Sequence, residues 1–267
     1  MRLASRAAAP VTKRAIALLL AVFAAGPAFA QGPCRGTVYL TIDTGTMSQA
    51  ELIAATLNKY QVKATFFLAN EPTVKGDYSL DSGWAAYWKA RAAEGHRFGS
   101  HTFDHVYFKG GDIKEAGKEG ADGKVRARPQ FGARAGQAQT WNAAQVCAEI
   151  GRVKTRFHEL TGATLGPLWR APGGYVTPNT RRWAAACGYA HVGWSPAGFL
   201  GDELPSESYP NAALLKRALA GIKDGDVLMM HTGIRSRKDA FAPMLDPLID
   251  GLQKRGLCFG LVSDKGY

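Results

Sequence analysis

At 267 residues and a formal charge of +11, the chain is long enough for one large domain with a well-buried core. Its basic balance suits an anionic polymer partner or a generic soluble surface equally well, and no nucleic-acid-binding module accompanies it. Cys34, Cys147, Cys187 and Cys258 show no C-x-x-C spacing, which argues against a zinc–thiolate site; an even count in an oxidising compartment allows two disulfides, in any of three connectivities.

The N-terminus carries Arg2, Arg6, Lys13 and Arg14, then an apolar run from Ala15 to Ala25, then Ala28-Phe29-Ala30. This order is that of a secretory signal peptide over residues 1–30. The apolar run is too short for a spanning helix, which needs roughly 20 residues. Cleavage after Ala30 removes four basic residues and no acidic one, which lowers the net charge from +11 to +7. No later stretch is apolar enough to span a bilayer, so the mature chain, 31–267, is expected to be soluble, either periplasmic or secreted.

Along that chain, short apolar strands alternate with amphipathic helices. Thr37 to Ile42 is predicted as a strand. Ser48-Gln49-Ala50-Glu51 reads as a capping box, opening a helix with Ile53, Leu57 and Tyr60 on its apolar face. Ala64 to Leu68 is the next strand, Trp84 to Glu94 a helix closed by Gly95, and His96 to Ser100 a short strand. Residues 106–139 form a long loop insertion; from Lys109 to Gln139 it is rich in Gly, Lys, Arg and Ala with little apolar periodicity. A stretch of this kind is a functional lid or is disordered. From Trp141 to Leu160 the apolar residues Val146, Ile150, Val153, Phe157 and Leu160 recur at helical spacing.

The second half repeats the scheme. Leu168 to Arg170 is a strand, Thr177-Pro178 opens a helix with proline at its first position, and Ala190 to Trp194 is a strand. Asn211 is expected to cap the helix that carries Leu214, Leu215, Ala218 and Ile222. Val227 to Met230, a helix from Pro243 to Lys254, and Leu257 to Val262 complete the pattern. Seven strands alternating with about six helices predict an α/β fold with a parallel sheet, either open or closed into a distorted barrel. There is no G-x-G-x-x-G or P-loop, which lowers the weight of nucleotide-binding versions.

Polar residues suited to hydrolysis fall at the carboxyl ends of these strands, the usual place for catalysis in a barrel. Asp43 ends the first, His101 and His105 follow the third, Arg170 ends the fourth and His231 the sixth. His101 and His105 lie four apart, a spacing that lets two imidazoles face one metal ion. Trp194 also ends a strand, as a sugar-facing aromatic or as a core tryptophan.

Four short motifs, in order, carry a family resemblance. Thr41-Ile42-Asp43-Thr44-Gly45 resembles the T-F-D-D-G motif of the polysaccharide deacetylases, carbohydrate esterase family four. His101-Thr102-Phe103-Asp104-His105 resembles their H-[ST]-x-x-H, Arg170-Ala171-Pro172-Gly173-Gly174 their R-x-P-x-G, and Leu228-Met229-Met230-His231 their L-x-L-H. The resemblance spans Thr37 to Val262. It implies a distorted (β/α)7 barrel that removes acetyl groups from N- or O-acetylated polysaccharides or oligosaccharides with a divalent metal, most often zinc.

The resemblance also implies roles. His101 and His105 bind the metal, Asp43 is the general base for the attacking water, and Arg170 sets its position and ionisation. The Gly173 N–H helps hold the oxyanion, and His231 is the general acid. Two departures stand out. Thr44 occupies the position of the family's third metal ligand, an Asp. The D-x-x-D-W motif has no clear counterpart, with Asp202 a candidate for its carboxylate. A sugar-binding protein with a weakened metal site and a hydrolase of non-sugar amides on the same scaffold therefore remain as alternatives. Barrel closure would bring the first and last strands together and predicts a Cys34–Cys258 disulfide. Cys147 and Cys187, near opposite ends of adjacent helices, are expected not to pair.

Overall fold

The computed structural model describes residues 34–113 and 123–267. The leader expected over 1–30 and the middle of the long insertion lie outside the described residues. In the first half of the chain, β1 (Gly36–Asp43), α1 (Ala50–Tyr60), β2 (Thr65–Leu68), α2 (Ala85–Ala93) and β3 (Arg97–Ser100) follow the expected alternation. Four strands come next: β4 (Val106–Tyr107), β5 (Asp112–Ile113), β6 (Lys124–Pro129) and β7 (Gln139–Trp141). The second half runs α3 (Ala143–Thr161), β8 (Leu168–Trp169), α4 (Pro178–Ala186), β9 (Ala190–His191), α5 (Asn211–Gly221), β10 (Val227–His231), α6 (Leu245–Lys254) and β11 (Leu257–Gly260).

Seven strands form one parallel sheet in the order β10-β1-β2-β3-β8-β9, with β11 on β1. β11 pairs with residues 36–39 of β1 and β2 with residues 41–43, while β10 takes residues 39–43. The two outer strands of the path, β9 and β10, do not pair as strands. The gap between them is bridged by the chain that follows β9. The Ser195 N–H donates to Val227 O at 3.0 Å and the Leu200 N–H to Met229 O at 3.3 Å, and the Ser195 hydroxyl accepts from the Val227 N–H at 3.0 Å. Gly198 makes this approach possible, because a Cβ there would lie 2.0 Å from Val227 O. The sheet thus curls into a distorted barrel, and β-branched and aromatic strand residues such as Val38, Ile42 and Phe66 are fully buried under the helices.

The insertion differs from the expected loop. Among its described residues, β4, β6 and β5 form an antiparallel sheet, with β7 pairing β6. In Lys124–Pro129 exposed and buried residues alternate strictly, so Val125 and Ala127 face a second core with Phe108, Trp141 and Trp169. The period-two signal was hidden because the outward positions are Lys and Arg and the inward ones are small.

Three local expectations are also corrected. The capping box at Ser48 does not form: Gln49 is the cap residue of α1, without a side-chain cap, and the Ser48 hydroxyl accepts from Thr46 at 3.0 Å. Asn211 is the first residue of α5 after a Pro210 cap; its side chain instead donates to Ala240 O and accepts from Arg237. Cys34 and Cys258 are joined, as expected and as β1–β11 pairing allows, but Cys147 and Cys187 are joined too, with Cα atoms 6.2 Å apart. Neighbouring helices do not lie end to end here. The last turn of the short α4 packs on the first turns of α3, with Cys147 Sγ 3.4 Å from Trp183 O.

Candidate active site

β1 and β10 pair in a register that sets Asp43 directly beside His231. β3 and β8 deliver the other groups: the Arg170 N–H donates to Ser100 O at 2.8 Å, so Arg170 and His101 leave adjacent strand ends together. The five residues singled out from strand ends are therefore brought to one end of the barrel.

Asp43 and Arg170 are buried, 2% and 0% exposed. Arg170 Nη1 donates to Asp43 Oδ1 at 2.7 Å, Nε to Val192 O at 3.1 Å and Nη2 to Gly193 O at 3.0 Å. The guanidinium also lies 4.3 Å from the centre of the Phe67 ring. Each of its three nitrogens makes a hydrogen bond, so Asp43 is held in one place. Burial alone pushes the Asp43 carboxyl up, but the Arg170 guanidinium, with His101 and His231, outweighs it and leaves the group below its ordinary value.

His101 Nδ1 lies 3.0 Å from Arg170 O. A carbonyl only accepts, so Nδ1 carries the proton and Nε2 the lone pair. Nε2 faces Asp43 Oδ2 at 3.6 Å. Burial pushes the imidazole down to about 3, which keeps it neutral, the form that ligates a metal. The His105 ring stands 5.0 Å from that of His101, centre to centre. The turn between them is held in an unusual conformation, with Thr102 and His105 at φ 58° and 49°. It is fixed by the Thr102 hydroxyl accepting from Val106 N–H at 2.7 Å and by Glu149 accepting from Asp104 N–H at 2.5 Å. His105 Nδ1 is buried without a hydrogen-bond partner, a costly state for a polar nitrogen unless another group satisfies it. Two imidazoles side by side, one with a free lone pair and one with an orphaned nitrogen, fit a divalent metal. As the side chains stand, no three His, Cys, Asp or Glu among the described residues group closely enough to complete such a site.

His231 is held by Asp202, whose carboxylate accepts from its backbone N–H at 2.6 Å and lies 3.1 Å from Nδ1. Its other nitrogen, Nε2, has Glu203 at 3.9 Å. Burial pulls the imidazole down, but Asp202, Asp43 and Glu203 push it up to about 10. The turn Pro172–Gly174 carries Gly173 at φ 60°, a conformation glycine adopts freely. A Cβ there would meet Tyr175 at 2.8 Å and Tyr107 at 3.4 Å, and one at Gly174 would meet Trp194 at 3.0 Å. Gly173 is exposed, and its N–H makes no hydrogen bond among the described residues. Trp194 is half-buried beside Arg170, 5.6 Å from guanidinium to ring centre.

Two carboxylates escaped the sequence reading. Glu71 lies three residues beyond β2 and accepts from the Thr44 hydroxyl at 2.8 Å. Glu203 follows Asp202 at the rim. Glu71 was reachable by the strand-end logic already applied to four other strands. Glu203 had no signal beyond adjacency to Asp202, since its position depends on the path of the loop after β9.

The sequence profile of the family described as Polysaccharide deacetylase matches residues 30–192, and the chain belongs to that family. A peptidoglycan-N-acetylglucosamine deacetylase of Bacillus cereus is 24% identical over 212 residues, covering 78% of this chain and 77% of that protein. Among solved structures, a family 4 carbohydrate esterase from Streptomyces lividans in complex with acetate superposes with a TM-score of 0.61 at 19% identity, over 87% of this chain and 96% of that one. A pseudoenzyme of the same esterase family from Bacillus anthracis superposes with a TM-score of 0.60 at 17% identity, over 87% of this chain and 66% of that one. These likenesses establish the distorted (β/α)7-type fold.

Proposed function

We propose that this chain is a metal-dependent deacetylase that hydrolyses acetyl groups on N- or O-acetylated carbohydrate chains outside the cytoplasm. The observation that carries the proposal is the facing of two ion pairs, Asp43 with Arg170 and His231 with Asp202, across adjacent strand ends. Asp43 is held low by Arg170, and His231 is held high by Asp202. Two titratable groups pushed apart in this way make a base and an acid available at the same pH.

Asp43, ionised and fixed by Arg170, takes a proton from the attacking water. His231, charged and fixed by Asp202, gives one to the leaving nitrogen or oxygen, which departs only when protonated. The Gly173 N–H is free to donate to the oxyanion, and Trp194 offers a flat face to a sugar ring. His101 and His105 would hold the divalent metal, zinc in our reading. When bound, it polarises the acetyl carbonyl and makes water more acidic. Family membership and the B. cereus relative support a carbohydrate substrate; the polymer itself is a matter for assay. Two disulfides suit an oxidising compartment, no helix among the described residues is long and apolar enough to cross a membrane, and the leader over 1–30 supplies the export route.

One observation favours a second reading, a sugar-binding protein without turnover. Thr44 lacks the carboxylate expected of a metal ligand, and its hydroxyl is committed to Glu71 and to the Ala69 N–H. Release of acetate decides between them. The mature chain is incubated with acetylated chito-oligomers, peptidoglycan and acetylated xylan, with zinc or with chelator, beside small linear and cyclic amides. Zinc-dependent release from a sugar supports the first reading. Binding of the sugars without release supports the second, and hydrolysis of the amides alone, followed as loss of the amide bond, would move the activity away from carbohydrates.

A further inference from the structure

Two neutral imidazoles leave a divalent charge unbalanced, so a metal at His101 and His105 needs an anionic group nearby. Four carboxylates are candidates. Asp43 is pinned by Arg170. Asp104, although in the same turn as the histidines, has Oδ2 3.0 Å from Arg152 Nη1, and its Oδ1 lies under Gly132. Glu203 has a side chain 46% exposed and lies 3.9 Å from His231 Nε2, on the acid side of the site.

Glu71 differs from all three. It is 8% exposed and bonded to the very residue that stands where the carboxylate is missing. Its main chain is fixed, with the Glu71 N–H donating to Ser79 Oγ at 3.1 Å and Glu71 O accepting from the Ser79 N–H at 2.9 Å. Its second carboxylate oxygen has no hydrogen-bond partner among the described residues. Its chain neighbours tie it to the histidine side of the mouth: the Asn70 N–H donates to Phe103 O at 2.8 Å, within the turn that joins His101 and His105, and the His101 N–H donates to Leu68 O at 2.7 Å. The Thr44 hydroxyl, accepting from Ala69 N–H at 2.9 Å while donating to Glu71, acts as a fixed bracket for this carboxylate.

We propose that Glu71, held on Thr44, supplies the negative charge of the metal site that position 44 itself lacks. The pair does jointly what one aspartate would do alone: a short side chain at the end of β1 sets the place, and a longer one from beyond β2 brings the charge. The proposal rests on the metal-dependent reading above and is tested by zinc affinity, not turnover.

Zinc is titrated by calorimetry, with a competing chelator, into the metal-free mature chain and into Glu71→Gln, Thr44→Asp and the double variant. Removing even an outer-shell partner of a metal ligand weakens binding roughly 10–100-fold, and Glu71→Gln is expected to lose at least that. Adding Thr44→Asp to Glu71→Gln is expected to recover the loss. Full affinity in Glu71→Gln, or no recovery in the double variant, overturns the proposal while leaving the metal reading intact. A wild-type chain that binds no zinc overturns the metal reading and this proposal with it. Should Glu71→Gln fail to fold, Thr44→Asp alone decides: tightening of less than about tenfold is expected where Glu71 already supplies the charge, and tightening of about 100-fold or more overturns it.

Discussion

In the proposed mechanism Asp43 combines catalysis and stability in one carboxylate. As a polar residue at a strand end, it would be expected to be dispensable for folding. Its burial against a fully buried Arg170 reverses that expectation. Among the described residues Asp43 is the only acidic partner of this cation, and breaking a buried pair on one side costs about 3–5 kcal/mol. Asp43→Asn is therefore expected to lose activity by about 10²–10⁴-fold and also to unfold at distinctly lower urea. His231→Ala should lose activity to a similar extent with a smaller change in stability, because Asp202 keeps the backbone N–H of residue 231 as a donor. Equal urea midpoints for Asp43→Asn and wild type would mean that Arg170 finds another partner. The same pairs set the pH response. The proposed mechanism needs Asp43 ionised and His231 protonated, so kcat/KM should fall only below the ordinary carboxylate range and again near about 10. Asp202→Asn removes a carboxylate that raises His231, so the alkaline limb should move to lower pH; a limb that stays in place would assign the proton to another donor. These residues were legible because each follows a strand with a clear apolar pattern. Glu71, three residues beyond β2, lay within reach of the same logic; Glu203 is placed by a loop, and loop paths are not written in periodicity.

At the scale of elements, α3 and the small sheet show where pattern reading succeeds and where it fails. The five apolar residues expected on one face of α3 are all buried there, and its start at Ala143 is fixed by a capping box between Asn142 and Gln145. β6 obeys the strand period as faithfully, but basic outward positions and small inward ones make it resemble a solvated loop. The pairing of Cys147 with Cys187 was missed for a related reason, since helix crossing is set by side-chain packing and not by chain order. That disulfide closes a loop of sequence separation 40, for which chain entropy gives about 4 kcal/mol. Replacing both cysteines with serine should lower stability by up to that amount and loosen α4 against α3, measured by urea unfolding of the oxidised chain. Trp141→Ala, which empties the second core under β6, should cost about 3–5 kcal/mol; a loss under about 1 kcal/mol would mean that the small sheet contributes little to the fold.

Over the whole molecule, the alternation of strands and helices fixed the parallel sheet in advance, and the β1–β11 pairing is the part of the closure that chain order alone suggested. The join between β9 and β10 was not readable, because an irregular segment makes it, and its one close contact depends on the missing side chain of Gly198. Gly198→Ala should destabilise by at least about 1–3 kcal/mol, since backbone lies on the other side; a neutral effect would mean that the join already stands open.

That join also divides the site by how firmly its parts are held. Asp43, His101 and Arg170 leave strands that are paired within a continuous sheet. Trp194, Asp202 and Glu203 ride on or beside the bridging segment, which is tied to β10 by a few hydrogen bonds. In a closed ring of hydrogen bonds the sparsest stretch opens most often, and amides there exchange with solvent through local opening rather than global unfolding. Deuterium uptake should therefore be faster at Ser195 and Leu200 than at Leu40 or Phe66. His231, the proposed proton donor, would then lose and regain its Asp202 partner repeatedly while Asp43 stays clamped on Arg170, so that one half of the site fluctuates and the other does not.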